Sequence, residues 1–191
     1  MLYVISSVAG GGKSTIIAKV LEKYKDIHFS ISYTSRPVRK DDVPGANYQF
    51  VSKKEFEDLI KEDFFLEWAL VHDNYYGTPK KFIDYEIQKG NKVILDIDVQ
   101  GFRIIRSKIE KLRSIFILPP TEEIWIDRLK KRGTDSEEVI EKRIRNGRNE
   151  LKAIDEYDFK ILNDVLETAV LHFESILFNE EDLVQKIIND P

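Results

Sequence analysis

The sequence predicts an α/β protein with a parallel central sheet flanked by helices and a small inserted subdomain. Three observations carry this. Short apolar runs alternate with helix-spaced segments along most of the 191 residues, the pattern of a doubly wound sheet. One run, "KVILDID" (92–98), is apolar almost without a break until its two aspartates, which means burial on both faces, as in parallel strands. From 48 to 76 the alternation gives way to short strand-like stretches around one small helix, the mark of an insertion.

The first element is "LYVIS" (2–6). It has no basic leader and runs straight into a glycine loop, so it reads as a buried strand and not as a signal peptide. Ile16, Ile17, Val20 and Leu21 then recur at helical spacing over 14–25, so the loop joins a strand to a helix. "HFSISY" (28–33) alternates as one strand, and 34–47 is a polar loop with Pro37, Pro44 and Gly45; ordered loops of this length are usually functional. Within the insertion a helix is expected near 53–62, with Phe50, Phe56, Phe64, Phe65 and Trp68 forming a minor core. A helix over about 79–89 stops at Gly90, and the strand 92–98 and a helix after Val99 follow. The remainder reads as strand "SIFIL" (114–118), helix 121–131, a basic helical stretch 136–157, strand "FKIL" (159–162) and a helix from Val165.

Net charge is −4, with 34% charged residues of both signs. That balance calls for neither nucleic acid nor a membrane surface as partner, so any anion must be bound locally. The absence of cysteine excludes disulfides, thiolate catalysis and Cys-based metal sites. No apolar run approaches membrane-spanning length, and a cytoplasmic protein is expected.

In "SVAGGGKST" (Ser7, Val8, Ala9, Gly10, Gly11, Gly12, Lys13, Ser14, Thr15), the last three positions of the GxxxxGK[ST] pattern are filled by Gly12, Lys13 and Ser14. Ser7 stands where the first glycine belongs. Glycines let backbone N–H groups turn inward around phosphate oxygens, and the helix N-terminus adds positive potential. Lys13 is placed to reach the β and γ phosphates, and Ser14 to offer a hydroxyl to Mg²⁺. The plain alternative is a glycine turn beside a solvated lysine.

A second anion site is legible in "SYTSRPVRKDDVPGANYQFVS" (32–52), where Arg36, Arg39 and Tyr48 supply two guanidiniums and a phenol. "FLEWA" adds Glu67, and "NYYGTP" adds Tyr75, Tyr76 and Thr78. A carboxylate accepts the N1–H and 2-amino protons of guanine and a hydroxyl donates to O6, whereas adenine would leave such a carboxylate unpaired. Tyr75, Tyr76 and Trp68 can equally fill a minor core.

With these residues the chain resembles the guanylate kinases: "SYTSRPVR", "NYQFVSKKEF", "FLEWA", "NYYGTP", "LDIDVQG", "RLKKRGTD" and "ILND" occur in that family's order and near its spacing. The resemblance covers nearly the whole chain. It implies a P-loop kinase fold, one domain over 1–191, with a core of about 1–33, 79–127 and 157–191, a GMP-binding insertion of about 34–78 and a helical lid of about 128–156. It implies transfer of the γ-phosphoryl group of Mg·ATP to GMP, within purine nucleotide metabolism. GMP would be held by Ser32, Arg36, Arg39, Tyr48, Glu67, Tyr76, Thr78 and Asp98. ATP would be held by residues 7–15 with Arg128, Arg132 and Asn163, the last near the adenine. Lys13, Arg36, Arg132 and Arg143 would be catalytic, and Ser14 and Asp96 would serve Mg²⁺, Asp96 through water. Trp68 is assigned to the core and Tyr76 to the ligand. Ser7 and the segment "KDDVPG" (40–45) depart from the family's pattern.

Two rivals remain at this point. Guanylate-kinase-like domains of scaffold proteins bind phosphopeptides and have lost the reaction, and a kinase of the same fold could act on a ribose phosphate. The intact Gly12-Lys13-Ser14 argues against the first, and Glu67 with Thr78 against the second, since a ribose phosphate has no base to read.

Overall fold

The computed structural model describes residues 1–38, 42–43, 45–46, 48–71, 73–131 and 136–178. In chain order the elements are β1 (Leu2–Ser7), α1 (Lys13–Lys23), β2 (Ile27–Phe29), β3 (Ser32–Thr34), β4 (Tyr48–Phe50), α2 (Lys53–Lys61), β5 (Phe65–Val71), β6 (Asn74–Pro79), α3 (Lys80–Gln88), β7 (Lys92–Asp96), α4 (Val99–Lys108), β8 (Leu112–Leu118), α5 (Glu122–Lys131), α6 (Glu137–Leu151), a 3₁₀ turn (Ile154–Glu156), β9 (Phe159–Leu162) and α7 (Leu166–Phe178). The central sheet has the strand order β2-β7-β1-β8-β9, and β2 with β7 and β8 with β9 run parallel. No helix among the described residues is long and apolar enough to cross a membrane.

By compactness the chain forms two units, and β1 gives its first residues to one and its last to the other. The first unit comprises Met1–Val4 and Asp26–Leu112. Here the expectation of one strand over 28–33 is corrected. The chain leaves the central sheet after β2, and β3 belongs to a separate four-stranded sheet of order β4-β3-β6-β5. The break falls at Ser30 and Ile31; the Ser30 N–H still donates to the Ile94 carbonyl of β7 at 3.0 Å, and from Ser32 the pairing is with Tyr48 of β4. Alternating side chains cannot reveal such an exchange of partners, because both halves keep the same period.

Aromatic packing fills the small sheet. Phe56 of α2 is fully buried, stacked on Phe65 at 4.5 Å and on Tyr75 at 5.1 Å between ring centres. Phe64 meets Tyr33 and Phe65 edge-on, each at 5.1 Å. Trp68, expected in this core, is instead 42% exposed and touches Tyr75 only edge-on; on β5 it takes the face opposite Glu67, so burying Glu67 turns Trp68 outward. The entry of α2 is fixed by a capping box, in which the Glu55 N–H donates to Ser52 Oγ and the Ser52 N–H to Glu55 Oε2.

The second unit comprises Ile5–Lys25 and the residues from Arg113 onward. Its core includes Ile16, Val20, Ile115, Phe116, Ile117, Trp125, Ile161 and Phe173, all fully buried. Lys23 of α1 donates to both oxygens of Glu174 of α7, at 3.0 and 2.8 Å. The entries of β8 and β9 are tied by the Asp158 carboxylate, which accepts from the N–H and the hydroxyl of Ser114, both at 2.8 Å.

Because Phe56 supplies two of the small sheet's stacking contacts, Phe56→Ala is expected to cost about 3–5 kcal/mol. Urea unfolding should show a midpoint lowered accordingly; an unchanged midpoint would mean that this aromatic cluster contributes little.

Candidate active site

The phosphate loop lies in the second unit, between β1 and α1, and its shape is set by three side-chain hydrogen bonds. Trp125 Nε1 of α5 donates to the Ala9 carbonyl at 2.7 Å, and Asn163 Nδ2, just after β9, to the Gly11 carbonyl at 2.9 Å. At the loop's entry Ser7 Oγ donates to the Ile117 carbonyl of β8 at 2.8 Å. The bonds from Trp125 and Asn163 hold the Ala9 and Gly11 carbonyls, and the Gly11 N–H donates to the Val8 carbonyl at 2.9 Å. Gly12 caps α1 in the left-handed region, φ 92°, and provides no side-chain cap. The first turn of α1 contains no acidic residue, so the helix start keeps its positive potential. Lys13 is half-buried, and Ser14 and Thr15 are exposed, as is Ala9.

Among the other residues expected at ATP, Asn163 is buried and its amide holds the loop backbone. Arg128 is half-buried, and its two terminal nitrogens donate to the Asn163 carbonyl at 3.4 Å. Val8 is buried beneath the loop. Arg143 is half-buried on α6, while its neighbours Arg145 and Arg148 pair with Glu141 and Glu122. Arg132 lies outside the described residues. Trp125 was not anticipated as a loop contact: a tryptophan on an amphipathic helix reads as core, which it also is.

The residues expected to hold the acceptor lie in the first unit. The register of the small sheet sets Ser32 opposite Tyr48, Thr34 opposite Tyr76, and Glu67 opposite Thr78. Glu67 is 4% exposed, and its Oε1 accepts from the fully buried Thr78 hydroxyl at 2.5 Å. Gly101 of α4 comes close to this carboxylate: a β-carbon there would sit 2.9 Å from Glu67 Oε2. Burial pushes the Glu67 pKa up to about 7; the Thr78 hydrogen bond opposes the rise, the Asp98 charge adds to it, and Lys108 draws it down. Lys108 Nζ itself donates to the Leu66 carbonyl at 2.6 Å. Asp98 caps α4, its Oδ1 accepting from the Gly101 N–H at 2.9 Å.

Arg36, expected at an anion site, is 8% exposed. Its two terminal nitrogens fork onto Asp42, at 2.8 and 3.0 Å, and its guanidinium lies 5.5 Å from the Tyr48 ring centre and 5.3 Å from that of Phe50. Burial works against the cation, yet the hydrogen bond and charge of Asp42 leave its pKa raised. Tyr48 and Tyr76 meet edge-on at 5.9 Å. Burial first, and the Asp96 charge second, hold the Tyr48 phenol protonated well above its ordinary value. Asp96 ends β7 half-buried. Ser32 is buried on β3. Arg39 lies outside the described residues. Sequence reading placed Asp42 only in a variant loop; nothing in the spacing marks it as the partner of Arg36.

The Glu67 shift makes a stability prediction. The folded pKa lies above the unfolded value, so its contribution is fully present below about pH 4.5 and is lost as pH rises through about 7. Across that window the ligand-free protein should lose on the order of 3 kcal/mol relative to Glu67→Gln, measured as the difference in urea midpoints. A difference independent of pH would mean that Glu67 is ionised at its ordinary value.

Comparison with known proteins agrees with this geometry. A model of the guanylate kinase family matches residues 1–180. The guanylate kinase of Caldanaerobacter subterraneus is 44% identical over 186 residues, spanning 97% of this chain and 90% of the relative. That of Carboxydothermus hydrogenoformans is 43% identical over 189 residues, spanning 99% and 92%. The crystal structure of guanylate kinase from Anaplasma phagocytophilum superposes with a TM-score of 0.77 at 28% identity, covering all of this chain and 96% of that one. With a family match over almost its whole length, a glycine loop shaped to face an anion and a buried carboxylate paired to a hydroxyl, the chain belongs to the guanylate kinase family.

Proposed function

We propose that the chain transfers the γ-phosphoryl group of ATP to GMP, giving ADP and GDP, and that its acceptor is chosen by Glu67 and Thr78. The observation that carries the reading is the buried Glu67 carboxylate, which accepts from the buried Thr78 hydroxyl. Guanine offers that carboxylate two donors, N1–H and the 2-amino group, and ionisation at a pKa of about 7 makes it an acceptor for both near neutrality.

The rest of the assignment follows the chemistry. Arg36 and Arg39, with the phenols of Tyr48 and Tyr76, hold the GMP phosphate, and the Arg36 fork now on Asp42 is the shape that fits two phosphate oxygens. Ser32 and Asp98 complete the acceptor site in the insertion of about 34–78. Residues 7–15 hold the ATP phosphates, Lys13 neutralises the transferring group, and Arg128, Arg132 and Arg143 serve it from a lid of about 128–156. Asn163 keeps the loop in shape next to the adenine. The acceptor oxygen is already ionised, so no general base is required, and the protein's contribution is in-line positioning and charge neutralisation.

The donor set suits Mg²⁺. Ser14 offers an exposed hydroxyl at the start of α1 and Asp96 a half-buried carboxylate at a strand end. No group of three or more His, Cys, Asp or Glu able to hold a metal occurs among the described residues. Ser14 and, through water, Asp96 would serve Mg²⁺, which would supply positive charge against the nucleotide phosphates. We place the protein in the cytoplasm, with ATP and GMP as its partners.

ADP release with Mg·ATP and, separately, GMP, AMP, CMP or UMP tests this reading. Turnover with GMP exceeding the others by roughly 10⁴ is the expected result, and comparable turnover with AMP would overturn it. Lys13→Met should lower kcat by about 10³ or more and leave GMP binding intact; retained turnover would remove the phosphate-loop assignment.

A further inference from the structure

Ser7 occupies the position at which the phosphate-loop pattern has glycine, and the structure gives that replacement a counterpart. A β-carbon built on Gly11 would lie 2.1 Å from Ser7 Oγ and 3.1 Å from the Val8 carbonyl oxygen. The first distance is far inside any real contact. The volume that Gly11 leaves empty is therefore the volume that the Ser7 hydroxymethyl fills. The same hydroxyl donates to the Ile117 carbonyl of β8 at 2.8 Å, and the residue is only half-buried at the loop's entry. Gly11 is itself held from both sides: its N–H donates to the Val8 carbonyl at 2.9 Å, and its carbonyl accepts from Asn163.

We propose that Ser7 is a positioning residue of the phosphate loop and that it forms a coupled pair with Gly11: the serine hydroxyl packs into the space left by the absent side chain and ties the loop to β8. The proposal rests on the reading that this loop holds ATP. It turns the departure from the pattern into a third strut, beside those from Trp125 and Asn163. An alanine at Gly11 leaves Ser7 two choices. Either the hydroxyl stays and the loop backbone shifts, or it rotates away and gives up Ile117; both release the loop. A glycine at Ser7 loses the strut and opens a void next to Gly11. Both changes together restore the volume, a methyl standing where the hydroxyl was.

The test is a double-mutant cycle over Ser7→Gly, Gly11→Ala and the pair, with Ser7→Ala added to separate the hydrogen bond from the packing. Three quantities are read: the Kd for ATP without GMP, KM for ATP against KM for GMP, and amide hydrogen exchange of residues 8–14 in the ligand-free protein. Thermal melts confirm folding. Gly11→Ala alone should weaken ATP by roughly tenfold or more, and the double variant should recover at least about fivefold of that loss. KM for GMP should stay within about twofold throughout. Ser7→Ala should speed loop exchange with a smaller effect on ATP than Ser7→Gly. Additive effects of the two changes, or loop exchange that none of the variants alters, would overturn the pairing. If the wild-type protein fails to bind ATP, the functional reading falls, while loop exchange still decides whether Ser7 and Gly11 are coupled. Should Gly11→Ala not fold, Ser7→Gly and Ser7→Ala decide: unchanged exchange and unchanged KM for ATP in both would refute the strut.

Discussion

A carboxylate removed from water is costly, and the first unit is organised around one. Glu67 is 4% exposed, and its pKa of about 7 expresses the cost of that burial. The small sheet exists in the register that sets Thr78 opposite it. Phe56, Phe65 and Tyr75 stack to hold β5 and β6 in that register, and α4, started by the Asp98 cap, brings a residue without a side chain against the carboxylate. A base that gives two N–H donors would lower the pKa and recover what burial took, so in the proposed reading affinity and selectivity would come from the same group.

The second constraint is electrostatic. A chain of net charge −4 has no general attraction for nucleotides, so phosphates must be met by local fields. In the second unit the proposed source is the start of α1, which has no side-chain cap and no acidic residue in its first turn, behind a loop whose backbone is pinned by side chains. Trp125 and Asn163 hold the Ala9 and Gly11 carbonyls. In the first unit the proposed source is Arg36, whose burial is tolerated because Asp42 neutralises it and aromatic faces flank it.

Local patterns were legible in the sequence, and partner choice was not. The strand, glycine loop and helix of residues 2–23 follow from spacing alone, since the loop's chemistry and its flanking periods lie within one stretch of chain. Glu67 and Thr78 could be singled out as candidates for reading a base, but their pairing depends on the β5–β6 register, which only the folded sheet fixes. The alternation of 28–33 hid a change of sheet at Ser30 and Ile31, because both sheets demand the same period. Trp68 carried a core signal and lies outside, since its neighbour Glu67 takes the inner face. The bonds of Trp125 to Ala9 and of Arg36 to Asp42 join residues whose spacing carries no signal.

The most direct measurement compares GMP with inosine monophosphate as acceptors, in the wild-type protein and in Glu67→Gln. Inosine monophosphate keeps N1–H and O6 and lacks only the 2-amino group. If the Glu67 carboxylate reads that group, the wild-type protein favours GMP in kcat/KM by at least about tenfold, and Glu67→Gln shrinks the preference severalfold. A preference that survives Glu67→Gln undiminished would contradict the account and move the choice of base to other residues.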